Sequence, residues 1–180
     1  MELELRINAE FGADSFVVYD TTGTFDGGYN AGGYGTPNKF PQNATGAELL
    51  VTPPDETTPI SITSIYPTIP NVTGAGYEIT ATALGLDELV PGVWTISLTV
   101  TFSNGTEDTV ECKFANLCSV ESCLTDREKQ IDETCNTLYD DETFRLRMLI
   151  EGAKANMCAG QYDKANSLIQ YVAEKCDCCC

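Results

Sequence analysis

The chain has 180 residues and a formal charge of −17, with ten Lys and Arg against 27 Asp and Glu. This length fits one medium domain or two small ones. Such an acidic surface repels nucleic-acid phosphates and anionic lipid heads, which argues against nucleic acid or a membrane as a direct partner.

The N-terminal stretch MELELRINAEFG alternates acidic and apolar residues and lacks the apolar centre of a secretory signal. No apolar run approaches the ~20 residues that span a bilayer. We therefore expect a soluble protein made in a cytoplasm. In that compartment the default state of the nine cysteines is a reduced thiol, either buried or bound to metal.

A glycine-rich loop, TGTFDGGYNAGGYGTPN, covers residues 22–38. It lacks the Lys and the following helix of a phosphate-binding loop. Its glycines alternate with Phe25, Tyr29 and Tyr34, so it combines backbone freedom with apolar anchors. We expect these three aromatic residues to bind another protein chain, because aromatic side chains dominate such interfaces.

Short segments of alternating polarity surround this loop and predict strands. The strongest is GVWTISLTVTF, where Trp94 and every second residue to Phe102 share one face. The turn SNGT suits a type I′ hairpin at Asn104-Gly105, so residues 92–115 should form a β-hairpin. Further strands are predicted at ELELRI, SFVVYD, AELLVT, PISITSIY and GYEITATAL.

About seven short antiparallel strands with turn signals between them are typical of an immunoglobulin-like β-sandwich. Pro91-Gly92 forms the corner that feeds the aromatic-bearing strand into its core. After Cys118 the pattern becomes helical and contains no proline. We therefore predict a mainly β chain with a C-terminal α part: a sandwich over 1–117 and a three-helix domain over 118–180.

Three helical segments follow. SVESCLTDREKQIDETCNTLY carries a thin apolar stripe. DDETFRLRMLIEGAKANMC opens with acidic residues, which suits the positive end of the helix dipole, and Gly160 ends it. QYDKANSLIQYVAEKC places Tyr162, Ala165, Leu168, Ile169, Val172 and Cys176 on one face.

The chain ends in four cysteines within five residues, CDCCC. Zinc favours four thiolates in a tetrahedral arrangement. These four are too compressed to bind one ion alone, so Cys118, Cys123 or Cys158 could complete a site. Helix length favours Cys135 instead, giving a candidate zinc site of Cys135, Cys176, Cys178 and Cys180. A disulfide, cross-linking to a neighbouring subunit, and simple burial remain alternatives.

Catalytic residues are scarce. The chain has no histidine, which removes the commonest general base. Asp140 with Asp141, or Asp87 with Glu88, could serve as a carboxylate pair, but adjacent acids at a helix start ordinarily cap the helix. We expect no enzymatic activity.

The strings GGYGTPNKF, AELLVTPPD, LVPGVWTISLTVTFSNGT and GQYDKANSLIQYV, with the terminal cysteines, resemble small virion proteins of crAss-like tailed bacteriophages. The resemblance rests on layout across most of the chain. It implies a non-enzymatic ring or connector subunit that packs around the portal or tail in several symmetric copies. Its partners would be the portal and neighbouring ring or tail subunits, within a virion assembled in the bacterial cytoplasm.

Two other function classes compete with this one. The cysteine tail suits a metal-binding or redox accessory protein. A carbohydrate-binding β-module would use Tyr29, Tyr34 and Trp94 as stacking aromatics. The strand pattern opposes that role for Trp94, because this residue shares a face with Ile96 and Leu98 and should be buried.

Overall fold

The computed structural model describes residues 7–20, 44–63, 72–73, 76–133 and 141–177. The chain divides into two compact units. The β unit takes in residues 1–89 and 95–114, and the helical unit takes in residues 90–94 and 115–180. The change of composition near Cys118 predicts a boundary at residue 118 and leaves residues 90–94 within the sandwich.

The β unit contains two four-stranded antiparallel sheets. Their strands are β1 (Ile7–Phe11), β2 (Ser15–Asp20), β3 (Ala44–Thr52), β4 (Ile60–Ile62), β5 (Val72–Thr73), β6 (Gly76–Thr80), β7 (Gly92–Phe102) and β8 (Glu107–Asn116). The sheet orders are β1-β2-β6-β5 and β4-β3-β7-β8. In chain order these match the ABED and CFG sheets of an immunoglobulin domain, with β4 added beside strand C. The predicted fold class is confirmed.

The core of the β unit follows from the period of two along its strands. Ile96 and Leu98 of β7 are fully buried, and they lie opposite Val51 and Leu49 of β3. In the other sheet, Phe16 of β2 is fully buried. Alternate residues of both sheets therefore supply one apolar core.

The β7–β8 hairpin is confirmed, but its turn differs from the predicted type I′. Among the described residues, the non-glycine residue with a positive φ is Asp55, so Asn104 is not left-handed. Gly105 has φ 81°, and its N–H donates to the Phe102 carbonyl at 2.9 Å. This is a three-residue loop with glycine at the left-handed position. Asn104 instead accepts hydrogen bonds from the N–H and hydroxyl of Thr106.

The predicted strand GYEITATAL is too long. Strand β6 ends at Thr80, and a 3₁₀ turn covers Thr82–Leu84. The Thr80 hydroxyl accepts from the Ala83 N–H at 3.1 Å, and Gly85 closes the turn with φ 72°. A side chain that bonds the backbone three residues on competes with the sheet ladder, which ends the strand.

Two further predicted strands lie only partly within the described residues. PISITSIY corresponds to β4, and its last three residues lie outside the described part of the chain. From ELELRI, the described sheet includes Ile7 at the start of β1.

The helical unit contains α1 (Cys118–Glu133), α2 (Asp141–Cys158) and α3 (Tyr162–Asp177). Each agrees with a predicted helical segment. Their shared core includes Leu124 of α1, Ile150 of α2 and Ile169 of α3, all fully buried. No helix in the described residues is both long and apolar enough to cross a bilayer.

Helix α2 ends just before Gly160, in the turn that leads to α3. Gly160 has φ 70°, its N–H donates to the Met157 carbonyl, and the Gln161 N–H donates to the Asn156 carbonyl. This pair of bonds is the Schellman motif, which satisfies the last carbonyls of a helix and needs a left-handed residue. The motif sets the two helices up as an antiparallel hairpin.

Residues 90–94 belong to the helical unit because α3 binds them. Val93 is buried in the helical core. Its N–H donates to Asn166 Oδ1 at 2.8 Å, and Gln170 Nε2 donates to the Pro91 carbonyl at 2.7 Å. Two amides one helical turn apart on α3 therefore hold an extended segment.

The carbonyl of Val90 accepts two further hydrogen bonds. The indole nitrogen of Trp94 lies 3.0 Å from this oxygen, and Asn116 Nδ2 lies 3.1 Å from it. An aromatic side chain that bonds the backbone a few residues upstream is the device of the tyrosine corner in immunoglobulin domains, here supplied by tryptophan. Trp94 is fully buried, as the strand pattern predicts.

Candidate functional site

The predicted docking residues Phe25, Tyr29 and Tyr34 lie outside the described residues. The same holds for Cys135, Cys178 and Cys180 of the candidate zinc site. Their roles stay predictions.

Cys176, the fourth candidate zinc ligand, forms a disulfide with Cys123 of α1. The two Cα atoms are 6.2 Å apart, and Cys176 is buried in the helical core. A disulfide sulfur is not a thiolate and does not bind zinc in this state. Helix length predicts Cys135 as the intramolecular partner of Cys176, whereas the structure pairs Cys176 with Cys123, one of the alternative ligands.

Two other cysteines, Cys112 and Cys118, are half-buried thiols. Burial raises the pKa of the Cys112 thiol, and Glu111 adds to this while a hydrogen bond with the Ile7 backbone opposes it. Burial and then the charge of Glu121 raise the pKa of Cys118. Both thiols therefore stay protonated at neutral pH, which makes them weak nucleophiles and weak metal ligands.

Metal-ligand clusters are not found in the described ranges: no three Cys, Asp or Glu side chains there converge on a common point. A further thiol, Cys158, is exposed at the end of α2. The remaining candidate in these ranges is an apolar surface on the helical unit.

The large hydrophobic side chains that are exposed in the described residues all lie in the helical unit. Phe144 is 49% exposed, Met148 is 55% exposed and Tyr171 is 48% exposed. Phe144 and Met148 lie one turn apart on α2, so they share a face. Tyr171 lies on α3. A patch built from two neighbouring helices marks this side of the unit as the candidate binding surface.

An open groove of about 650 Å³ runs along this surface. Its apolar lining comes from Leu146, Met148, Leu149 and Tyr171, and its polar lining comes from the first turn of α2: Asp141, Glu142 and Arg145. The Lys175 ammonium lies 5.8 Å from the centre of the Tyr171 ring, which orients the ring by a cation–π contact. The groove thus offers apolar contacts at its centre and charged groups at one end.

The groove is held in shape from below. Leu146, Ile150 and Ala153 of α2 share one buried core with Ala165 and Ile169 of α3. The guanidinium of α2's Arg147 also donates two hydrogen bonds to the Glu128 carboxylate of α1, at 3.1 and 2.9 Å. A buried stripe and a bidentate ion pair fix the helix, so the outer residues are presented on a rigid support.

The helical periodicity identified the buried stripe of α2 but not its outer face. The signal was present: Phe144 and Met148 fall opposite the stripe at a spacing of four residues. Large apolar residues on the polar side of an amphipathic helix are the sequence signature of such a surface.

Comparison with known proteins gives no family: no protein-family model matches the chain, and no curated protein matches it significantly.

Proposed function

We propose that the chain is a non-enzymatic structural subunit that binds neighbouring subunits through the α2–α3 surface. The observation that carries this proposal is the placement of Phe144, Met148 and Tyr171. These three large hydrophobic side chains are about half exposed, and all lie on one helical hairpin. Contiguous exposed apolar surface favours association, because burying it removes it from water.

The composition of the groove fits a protein partner. Tyrosine and methionine are enriched at the centres of protein interfaces, and charged groups at their rims. Here Tyr171 and Met148 form the centre, while Asp141 and Arg145 lie at one end. A groove of about 650 Å³ has room for a few side chains of another chain.

The setting that we propose is a tailed-bacteriophage virion, as the resemblance in sequence layout implies. The partners would be the portal and neighbouring ring or tail subunits, arranged symmetrically. The disulfide supports this setting. Disulfides persist in oxidising surroundings, and a particle made in a reducing cytoplasm meets such surroundings after release from its host.

The test is whether the chain belongs to a particle. An antibody against the purified chain is used to probe density-gradient fractions of lysates that contain the protein. We expect the chain to co-sediment with tailed particles. A tagged variant with both Met148→Asp and Tyr171→Asp should stay in the unassembled fraction, whereas Lys164→Glu, an exposed change on α3 outside the groove, should enter particles. Absence of the chain from particles would refute the proposal.

A thiol-based redox accessory protein is the second candidate function. The Cys123–Cys176 disulfide favours it, because a cysteine-rich segment follows Cys176 directly. This alternative requires multiple turnovers: the purified chain should transfer its disulfide to a reduced model protein and be reoxidised by added oxidised glutathione, and Cys123→Ser should abolish that activity. A purely structural disulfide gives no turnover in the same assay.

A further inference from the structure

Helix α1 has few buried contacts with the rest of the helical unit. Its buried apolar residues in the described part are Val120 and Leu124, and Cys123 packs beside them. From Thr125 to Lys129 the side chains are exposed, except for the half-buried Arg127. A helix of 16 residues is near the lower limit of independent stability in water, so α1 depends on its tertiary contacts.

Two ion pairs add to the attachment of α1. Glu121 binds Lys154 of α2 at 2.9 Å, and Glu128 binds Arg147 of α2 at 2.9 Å. The partners follow each other in opposite order along the two helices, so α1 crosses α2 in the antiparallel sense. All four side chains are at least 29% exposed. Partly exposed ion pairs orient a helix but stabilise it little, because water competes for the charges.

The disulfide between Cys123 and Cys176 is therefore the strongest link between α1 and its neighbours. Its two ends differ in exposure, because Cys176 is buried and Cys123 is half-buried. Solvent thus approaches the bond from the α1 side. A cysteine pair in a reducing compartment is ordinarily held as two thiols, which would remove this link.

The α2–α3 hairpin has contacts that do not involve α1. The Schellman turn at Gly160 joins the two helices. Asn166 and Gln170 of α3 bind residues 90–94. The two helices also contribute a shared set of buried apolar residues: Leu146, Ile150, Ala153, Ala165, Ile169 and Val172. The hairpin should therefore stay folded when α1 leaves it.

We propose that the Cys123–Cys176 disulfide is a redox switch for α1, which is docked on the α2–α3 hairpin in the oxidised chain and released from it in the reduced chain. This inference goes beyond the proposed function and does not depend on the virion role. A reducing compartment leaves α1 released, and an oxidising one docks it. Release opens a subset of the structure without unfolding the whole chain.

The oxidant that closes the switch is a low-molecular-weight disulfide such as oxidised glutathione. The Cys123 thiolate attacks one glutathione sulfur and expels the other glutathione as a thiolate. The Cys176 thiolate then attacks the Cys123 sulfur of this mixed disulfide and expels the second glutathione. Two electrons pass from the two cysteines to one oxidised glutathione. The two cysteine protons end on the two reduced glutathione molecules.

Hydrogen exchange of the purified full-length chain, read by mass spectrometry, tests the switch. All samples carry Cys178→Ser, Cys179→Ser and Cys180→Ser, so that these thiols cannot pair with Cys123. We expect α1 to be protected in the oxidised chain. After Cys123→Ser, its amides should exchange within about tenfold of the rate of an unstructured peptide, whereas α2 and α3 remain protected.

Reversibility separates a switch from damage by the substitution. Reduction of the chain that retains Cys123 should give the same exchange pattern as Cys123→Ser, and reoxidation with glutathione disulfide should restore protection of α1. Cys158→Ser is the matched control, because Cys158 is an exposed thiol outside the disulfide, and it should leave α1 protected. Equal protection of α1 with and without the bond would overturn the proposal, as would joint loss of protection in all three helices.

Two half-buried thiols provide a second measurement. Cys118 lies at the start of α1, and Cys112 lies in β8 of the other unit. A short pulse of iodoacetamide, with each cysteine followed by mass spectrometry, should alkylate Cys118 severalfold faster after Cys123→Ser and leave Cys112 unchanged. An unchanged rate at Cys118 would show that α1 stays docked, and equal acceleration at both thiols would show general unfolding. Either result would overturn the switch.

The outcomes are independent of the proposed function. A chain that is absent from particles but releases α1 on reduction would retain this inference and refute the virion role. A chain that enters particles but keeps α1 protected in both redox states would refute the switch alone. The redox accessory function is separable as well, because the switch requires no turnover in the disulfide-transfer assay.

Discussion

The two units of the chain are stabilised in different ways. In the β unit, alternate residues of two sheets are buried against each other, and Leu49, Ile96 and Leu98 are fully covered. The helical unit has a disulfide and ion pairs between helices, and it leaves Phe144 and Met148 exposed. In the helical unit, a disulfide and ion pairs between helices therefore add to the stabilisation that its buried core supplies.

Charge separates the units as well. Three of the ten basic residues precede residue 118: Arg6, Lys39 and Lys113. The helical unit holds the rest, and it uses Arg147, Lys154 and Arg145 in ion pairs. Opposite charges are therefore interleaved on the helices, whereas the sandwich is predominantly acidic and repels other acidic surfaces.

The largest effect that tests this comparison is loss of the disulfide. Cys123→Ser should destabilise the oxidised chain by about 4 kcal/mol, because the bond joins residues 53 positions apart and closes a long loop in the unfolded state. Denaturant unfolding followed by circular dichroism measures this. Hydrogen exchange should show the loss in α1 and α3 and leave β3 and β7 protected.

Two controls accompany the disulfide variant. Cys158→Ser removes an exposed thiol outside the disulfide and should have no effect. With reductant present, the wild type and Cys123→Ser should become equally stable. Equal stability without reductant would contradict the view that the helical unit depends on this bond.

The counterpart in the β unit is Leu98→Ala. This change removes a fully buried side chain and should cost about 3 kcal/mol through lost burial and the cavity left behind. Hydrogen exchange of β3 and β7 should accelerate. Thr57→Ala, in the exposed loop after β3, is the control. Simultaneous loss of protection in α2 and α3 would show that the two units unfold as one, against the comparison.

Asn166→Ala tests the hold of the helical unit on residues 90–94. It leaves the Val93 N–H without its acceptor and should cost about 2 kcal/mol, as expected for a buried donor left unsatisfied. Exchange of the Val93 amide should rise. Ser167→Ala, the adjacent exposed residue whose hydroxyl bonds within α3, should change neither quantity. If both variants behave alike, the Val93–Asn166 hydrogen bond does not hold the segment, which is then fixed by its other contacts.

The smallest effect concerns Lys154. Hydrogen bonds to Glu121 and then Glu151 raise the pKa of Lys154 above its usual 10.5. Since the folded pKa is raised, the stabilisation is fully present below pH 10.5 and is lost as the pH rises through the folded value. The side chain is 44% exposed, so solvent screening limits this to at most about 1 kcal/mol. Lys154→Met should flatten the pH dependence of the unfolding free energy in this window. An unchanged pH profile would show that Lys154 is not the source of this dependence.

Strict periodicity made most of the fold predictable. The alternation from Trp94 to Val100 fixed a central strand, and the stripe from Ala165 to Cys176 fixed α3. Local hydrogen bonding was harder to predict. Asn104 could bond Thr106 instead of turning left-handed, and Thr80 could end its strand, because these choices depend on single side chains rather than on a pattern.

The candidate site was harder still. Disulfide pairing is not determined by spacing when nine cysteines are present; helix length alone favoured Cys135 over Cys158 and did not address Cys123. The capture of Val93 by Asn166 joins residues 73 positions apart, which no local rule anticipates. Phe144 and Met148 were visible as apolar residues on a charged face, but the sequence does not say how much of each side chain its own unit covers.

The assignment of residues 90–94 to the helical unit has a consequence for synthesis on the ribosome. Val93 emerges long before Asn166 and Gln170, the side chains that bind this segment. At roughly 5–20 residues per second, the delay is on the order of ten seconds. During that interval the N–H of Val93 must rely on water. The start of β7 therefore gains its hydrogen bonds to α3 only after α3 has been synthesised. A chain truncated after the sandwich would lack these hydrogen bonds permanently.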